Sequence, residues 1–191
     1  TFCGGKTEDV ILLCNRNNRQ ITARQIQTGE VSMLAGGVRI QGADLQEIAK
    51  IRTWQELLFP LHGKVEREYT AEAAAQTVWN TEIMELLQSL HEEKGAFLFR
   101  IEYKGSLDER KKSEFVKKTA SLLEEKSERM LINSISDYEI EIRIVESKKG
   151  GYLPFLRLYT MEDERFVYRK ESIAASIAPV NAALIMQIAG D

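Results

Sequence analysis

The sequence predicts an α+β fold, and three observations carry that prediction. Residues 71–159 run through helical, strand, helical, strand and strand periodicities in that order. Tyr138-Glu139-Ile140-Glu141-Ile142-Arg143-Ile144-Val145 alternates with period two, its isoleucines on one side and its charges on the other. Gly36-Gly37-Val38-Arg39-Ile40-Gln41-Gly42 is a second, shorter strand entered and closed by glycines. Elements in this order stack as a layered α/β arrangement over a small mixed sheet.

In chain order, the apolar run Val10 to Leu13 suits a strand or a buried helical turn, and Asn15-Arg16-Asn17-Asn18-Arg19 is a polar turn. Gly36-Gly37 lacks the Lys-Ser/Thr of a phosphate loop and the third glycine of a dinucleotide fingerprint, so it reads as a turn. Asp44 with Glu47 forms a capping box before a helix whose inner face is Leu45, Ile48, Ala49 and Ile51. Trp54, Leu57, Leu58 and Phe59 make an apolar segment stopped by Pro60 and Gly63, and the polar linker 64–69 marks a domain boundary.

Thr70 caps a helix expected over 71–93, with Glu72 in its first turn, Ile83, Leu86, Leu87 and Leu90 inward, and Gly95 as the stop. A strand follows at 97–103, then a charged loop at 105–112. Ser113 caps a third helix, expected to reach Met130, with Phe115, Thr119, Leu122, Leu123 and Met130 inward. Lys149-Gly150-Gly151 turns the isoleucine strand into a hairpin partner, where Leu156 and Leu158 alternate with Arg157 and Tyr159. Pro179 opens and Gly190 closes a last helix in which only Asn181 and Gln187 are polar. A helix so apolar all round expects burial, against a sheet outside these residues or against another copy of the chain, a homodimer.

A hydrophobic fraction of 43% and a charged fraction of 29% over 191 residues suit a globular chain with a real core. No stretch nears the roughly 18 apolar residues of a membrane span, so no membrane partner is expected. The opening residues lack the apolar region of a secretory signal, and two cysteines, Cys3 and Cys14, cannot build a disulfide framework. These features suggest a reduced, cytoplasmic compartment. The net charge of −3 argues against a basic wrapper of nucleic acid and leaves room for a local basic patch.

No catalytic constellation is legible. His62 and His91 are each isolated, and Glu92-Glu93, Glu124-Glu125 and Asp163-Glu164 are adjacent carboxylates that cannot face one another on a helix. Cys3 beside Gly4-Gly5 has no partner base, and no Cys/His spacing suits a metal. No catalytic, metal or cofactor-binding residue is therefore assigned. The cations are more informative. Lys104, Arg110, Lys111, Lys112, Lys117 and Lys118 cluster around one loop and helix start. Lys148 and Lys149 sit at the hairpin turn, and Arg143 lies on the polar side of its strand. These nine are the candidate RNA-binding residues, since phosphates are held by such cations. Interleaved Asp108, Glu109, Glu114, Glu124, Glu125 and Glu128 also fit an ordinary solvated face.

The strand Phe99-Arg100-Ile101-Glu102-Tyr103-Lys104-Gly105, the helix around Lys112-Ser113-Glu114-Phe115, and Ile132-Asn133-Ser134-Ile135-Ser136-Asp137-Tyr138 with the isoleucine strand behind it resemble a THUMP domain. That is an RNA-binding module of RNA-modifying enzymes, and Asn133, Ser134 and Asp137 match its motif, with Ser136 where a proline is common. The glycine-bracketed strand with Ala49-Lys50-Ile51-Arg52-Thr53 resembles the ferredoxin-like domain that precedes THUMP, taken as partial because residues before Gly29 do not match. Tyr168-Arg169-Lys170-Glu171 through Ala183 resembles the entry to a class I S-adenosylmethionine-dependent RNA methyltransferase domain.

The resemblance implies a partial ferredoxin-like domain at 1–63, a THUMP domain at 64–170, and a linker with the first helix of a methyltransferase domain at 171–191. It implies structured RNA as partner, tRNA ahead of rRNA, presented to the chain's own C-terminal methyltransferase domain for methylation, with guanine N2 as the target. S-adenosylmethionine is then the cofactor of the full-length protein, and none is expected on these residues. The alternatives are the RNA-recognition region of a 4-thiouridine synthetase and a protein-interaction or dimerisation module without RNA.

Overall fold

The computed structural model describes residues 3, 7–61, 70–92, 94–148, 150–171 and 176–190. The linker 64–69, His62, Glu93 and Lys149 lie outside them. Contacts divide the chain into two compact units. One holds Gly4–Phe59 with Glu162–Asp191, the other Thr1–Cys3 with Pro60–Met161.

The first unit is built from β1 (Thr7–Leu13), α1 (Arg19–Gln25), β2 (Glu30–Leu34), β3 (Gly37–Asp44), α2 (Leu45–Ile48) and β4 (Glu56–Pro60). Its strands lie in the order β2-β3-β1-β4 with every pair antiparallel. The β-α-β-β-α-β sequence with β3 between β1 and β2 is the complete ferredoxin-like topology. The partial domain expected from sequence is thus corrected: α1 and β2 supply the missing part. Both were hidden from a periodicity reading, because all five residues of β2 are exposed and α1 has seven residues with only Thr22 buried. The apolar segment after Trp54 resolves into strand β4, which begins at Glu56.

Gly36 closes a tight β2–β3 turn, and Gly37 approaches the β1 backbone so closely that a Cβ there would stand 2.2 Å from the Leu12 carbonyl oxygen. Below the sheet, Thr22 and Thr53 share a hydroxyl contact of 2.7 Å, and the Asn18 amide donates to the Thr53 carbonyl at 3.1 Å. Asp44 caps α2 as expected, accepting from Gln46 N at 2.9 Å, but the helix ends at Ile48.

Residues 162 onward return to this unit through Arg165. Its buried guanidinium stacks 3.2 Å over the Trp54 ring, donates to the Trp54 carbonyl at 2.8 Å, and pairs with Asp163 at 2.7 Å. The last helix, α6 (Pro179–Ala189), begins and ends where Pro179 and Gly190 place it.

The second unit contains α3 (Ala71–Val78), α4 (Thr81–Ser89), β5 (Phe97–Lys104), α5 (Glu109–Lys126), β6 (Leu131–Asn133), β7 (Ile140–Glu146) and β8 (Tyr152–Leu158). Its strands lie in the order β8-β7-β5-β6, parallel about β5 and antiparallel between β7 and β8. The helix expected over 71–93 is two helices. Trp79 leaves helical geometry, and Asn80 starts afresh as a cap, its side chain accepting from Ile83 N at 3.1 Å. α5 starts four residues earlier than Ser113, because Asp108 is the cap and accepts from Lys111 N at 3.0 Å. It stops short of Met130, where Glu128 and Arg129 take left-handed backbone (φ 49° and 64°).

The core of this unit lies between the helices and one sheet face: Phe97, Phe99, Ile101 and Tyr103 of β5, the β7 isoleucines, Leu156, and Phe115 and Leu123 of α5 are buried. Tyr103 meets Phe115 and Tyr152 edge to face, at centroid distances of 5.5 Å and 5.9 Å, and Phe115 lies tilted on Tyr152 at 5.7 Å. Gly150 and Gly151 turn β7 into β8 at φ 88° and 81°, a region open to glycine.

Candidate nucleic-acid interface

The expected charged loop 105–112 ends at residue 108, so Arg110, Lys111 and Lys112 stand on the first turn of α5 rather than on a mobile loop. Lys117 and Lys118 follow on the same helix and are exposed, as is Lys104 at the end of β5 and Lys148 at the β7–β8 turn. α5 therefore gathers Arg110, Lys111, Lys112, Lys117 and Lys118 on one rigid element.

Most of these cations already have carboxylate partners. Arg110 pairs with Glu114 at 3.2 Å, Lys111 with Asp108 at 3.5 Å, Lys112 with Glu109 at 3.9 Å, and Lys118 with Glu72 of α3 at 2.6 Å. The hydrogen bond from Lys118 holds the Glu72 carboxyl below its ordinary pKa. Exposed pairs of this kind are weak and screened by salt, so a phosphate can displace the carboxylate.

Arg143 is a correction. Its side chain is buried and its Nε donates to Glu141 at 2.8 Å, so it is not presented to a phosphate. Alternation placed its polar strand face in water, but Glu141 and Arg143 are both buried there. The motif residues shape the β6–β7 connection. Ser134 N donates to the Phe99 carbonyl at 2.8 Å, Asp137 N donates to the Ser134 hydroxyl at 3.1 Å, and Asn133 N donates to Glu124 at 2.8 Å. The side chains of Asn133 and Asp137 are exposed.

A cluster missed in the sequence lies on the sheet face away from α5. Arg100, Glu141 and Arg157 are register neighbours across β5, β7 and β8. The Glu141 carboxylate accepts from Arg100 Nη2 at 2.6 Å and from the Tyr159 hydroxyl at 3.3 Å. The Arg100 guanidinium lies 4.0 Å over the Tyr138 ring, and Arg157 lies 4.7 Å over Tyr159. The signal was present as opposite charges at alternate positions, but the register that brings them together is a tertiary fact.

Among the described residues no group of three or more His, Cys, Asp or Glu is placed to hold a metal. His91 is buried against Phe97, with Nδ1 2.7 Å from the Leu87 carbonyl and Nε2 2.7 Å from the Thr160 hydroxyl. Burial pushes its pKa down.

Together the two units define an α+β protein, a ferredoxin-like unit followed by a layered unit with a mixed sheet. No protein family and no curated protein matches the sequence. Solved structures share the fold. TrmN from Thermus thermophilus matches with TM-score 0.64 at 16% identity over 95% of this chain and 54% of its own. A predicted N6-adenine-specific DNA methylase from Listeria monocytogenes matches with TM-score 0.62 at 15% identity over 96% and 48%. A 4-thiouridine synthetase solved as an RNA complex with bound ATP matches with TM-score 0.52 at 14% identity over 78% and 41%. The chain thus spans about half the length of the solved chains it matches.

Proposed function

We propose that this chain is the RNA-recognition region of an S-adenosylmethionine-dependent RNA methyltransferase. In this reading it holds structured RNA, tRNA ahead of rRNA, while a separate catalytic domain modifies one nucleotide, a guanine at N2. The observation that carries the RNA role is the fold shared with a 4-thiouridine synthetase captured on RNA. The α5 cations would hold phosphates and set position, leaving base choice to the catalytic domain. The wider overlap with a predicted methylase, 96% of this chain against 78% for the thiouridine synthetase, favours methyl transfer over thiolation.

In this reading S-adenosylmethionine is the cofactor of the catalytic domain, and Gly36-Gly37 is a hairpin turn packed on the Leu12 carbonyl. The reading is tested by titrating the chain against folded tRNA at increasing salt. Saturable binding that weakens linearly in log salt supports it. Absence of binding at low salt overturns it.

A further inference from the structure

The ferredoxin-like unit also offers cations that a phosphate can reach without displacing a carboxylate. A cavity of about 340 Å³ opens between the end of α1, the α2–β4 loop, Tyr168 and α6. Among the described residues its charged lining is Lys50 and Arg52, with no carboxylate. Both cations are exposed, and neither is ion-paired among the described residues. The nearby Glu47 carboxylate is committed to Gln27 N and the Thr28 hydroxyl. On a chain of net charge −3, a concave site with cations alone selects an anion.

The remaining walls say which anion. Arg52 lies 5.1 Å over the ring of Tyr168, which is 60% exposed, so a guanidinium–aromatic stack stands open at the mouth. Met186 adds apolar surface, and the amides of Gln25 and Gln187 can donate and accept at a base edge. The floor is fixed by Thr53, locked through Thr22 and Asn18. The volume falls in the usual range of small-ligand pockets, far beyond what a bare phosphate needs.

We propose that this cavity binds one unpaired nucleotide, its base extending the Arg52–Tyr168 stack and its phosphate held by Lys50 and Arg52. The proposal rests on the RNA reading for the source of that nucleotide, an unpaired position of a bound RNA. A free mononucleotide has the same chemistry and is separated by the test.

The test uses the whole chain, a hairpin RNA whose single-stranded tail carries 2-aminopurine, the same hairpin with a blunt end, and free AMP. The tailed RNA should bind more tightly than the blunt one, with its fluorescence quenched by stacking. Tyr168→Ala should abolish the quenching and weaken tail binding roughly tenfold, the worth of one base–aromatic stack. Tyr168→Phe should retain both, Arg52→Met should weaken both, and blunt-hairpin binding should not change. Both positions are exposed, so the variants should fold, and circular dichroism checks this. Tail binding and quenching untouched by Tyr168→Ala would overturn the site while leaving the RNA reading intact. AMP binding lost in Arg52→Met, without RNA binding by the parent chain, would keep the nucleotide site and end the RNA reading. Binding of neither ligand would end both.

Discussion

Glu141 and Arg143 stand two positions apart on β7, with the Arg143 Nη2 2.7 Å from Glu141 Oε1 and both side chains buried. Arg100 and Tyr159 donate to the other carboxylate oxygen, so one acid neutralises two guanidiniums. Burial alone would raise the Glu141 pKa, and the hydrogen bonds from Arg100 and Arg143 outweigh it and hold the carboxyl below its ordinary value. Glu141→Ala removes the acid that Arg100 and Arg143 share and breaks a buried ion pair, which should cost about 3–5 kcal/mol in urea unfolding. Because the folded pKa is depressed, the stability Glu141 contributes is present above its unfolded pKa of about 4.3 and is lost as pH falls through the folded value. An unchanged midpoint in Glu141→Ala would show that the pair is dispensable.

His91 gives the unit a second pH dependence. Burial is the main cause of its lowered pKa, with Lys94 adding repulsion and Glu139 and the Leu87 carbonyl opposing. The unfolded chain therefore binds the proton more readily than the folded one. Stability should be full above about 6.5, the ordinary histidine pKa, and decline as pH falls from there toward the folded value. Thermal melts across this range should show the decline in the parent chain and a flatter profile in His91→Gln.

Lys111 is exposed and Lys112 half-buried, and both are paired only with exposed carboxylates, so reversing them should leave the fold intact. Lys111→Glu with Lys112→Glu should weaken binding to all folded tRNAs alike and reduce the log–log salt slope by roughly 0.9 for each phosphate no longer neutralised. Equal affinity and slope before and after the double change would place the bound phosphates away from α5.

Packing distinguishes the two long helices. Leu123 of α5 is fully buried, and Leu123→Ala should cost about 2–5 kcal/mol. Ile188 of α6 is 63% exposed, so Ile188→Lys should stay within about 0.5 kcal/mol of the parent. A large destabilisation by Ile188→Lys in denaturant unfolding would mean that α6 is covered in solution.

The sequence by itself determined the elements whose signal is local. The isoleucine alternation of β7, the glycine turn before β8, the Thr70 and Asp44 caps, and the Pro179-to-Gly190 helix depend on neighbours within a few residues, and each forms as written. Tertiary structure decided what depends on distant partners. β2 has no buried side to produce a pattern, and it exists because β3 pairs with it. The Asn80 and Asp108 caps are local bonds to Ile83 N and Lys111 N, but a helical periodicity continuous across Asn80 hid the first and Ser113 competed with the second. Arg143 looked like a solvated cation because alternation reports two faces without saying which is covered, and burial of both faces of β7 made it an interior ion pair. Lys50 and Arg52 lie in one segment and Tyr168 in another far along the chain, and no sequence spacing joins them. They meet where Arg165 anchors residues 162 onward on Trp54, a hydrogen bond spanning 111 residues of the chain.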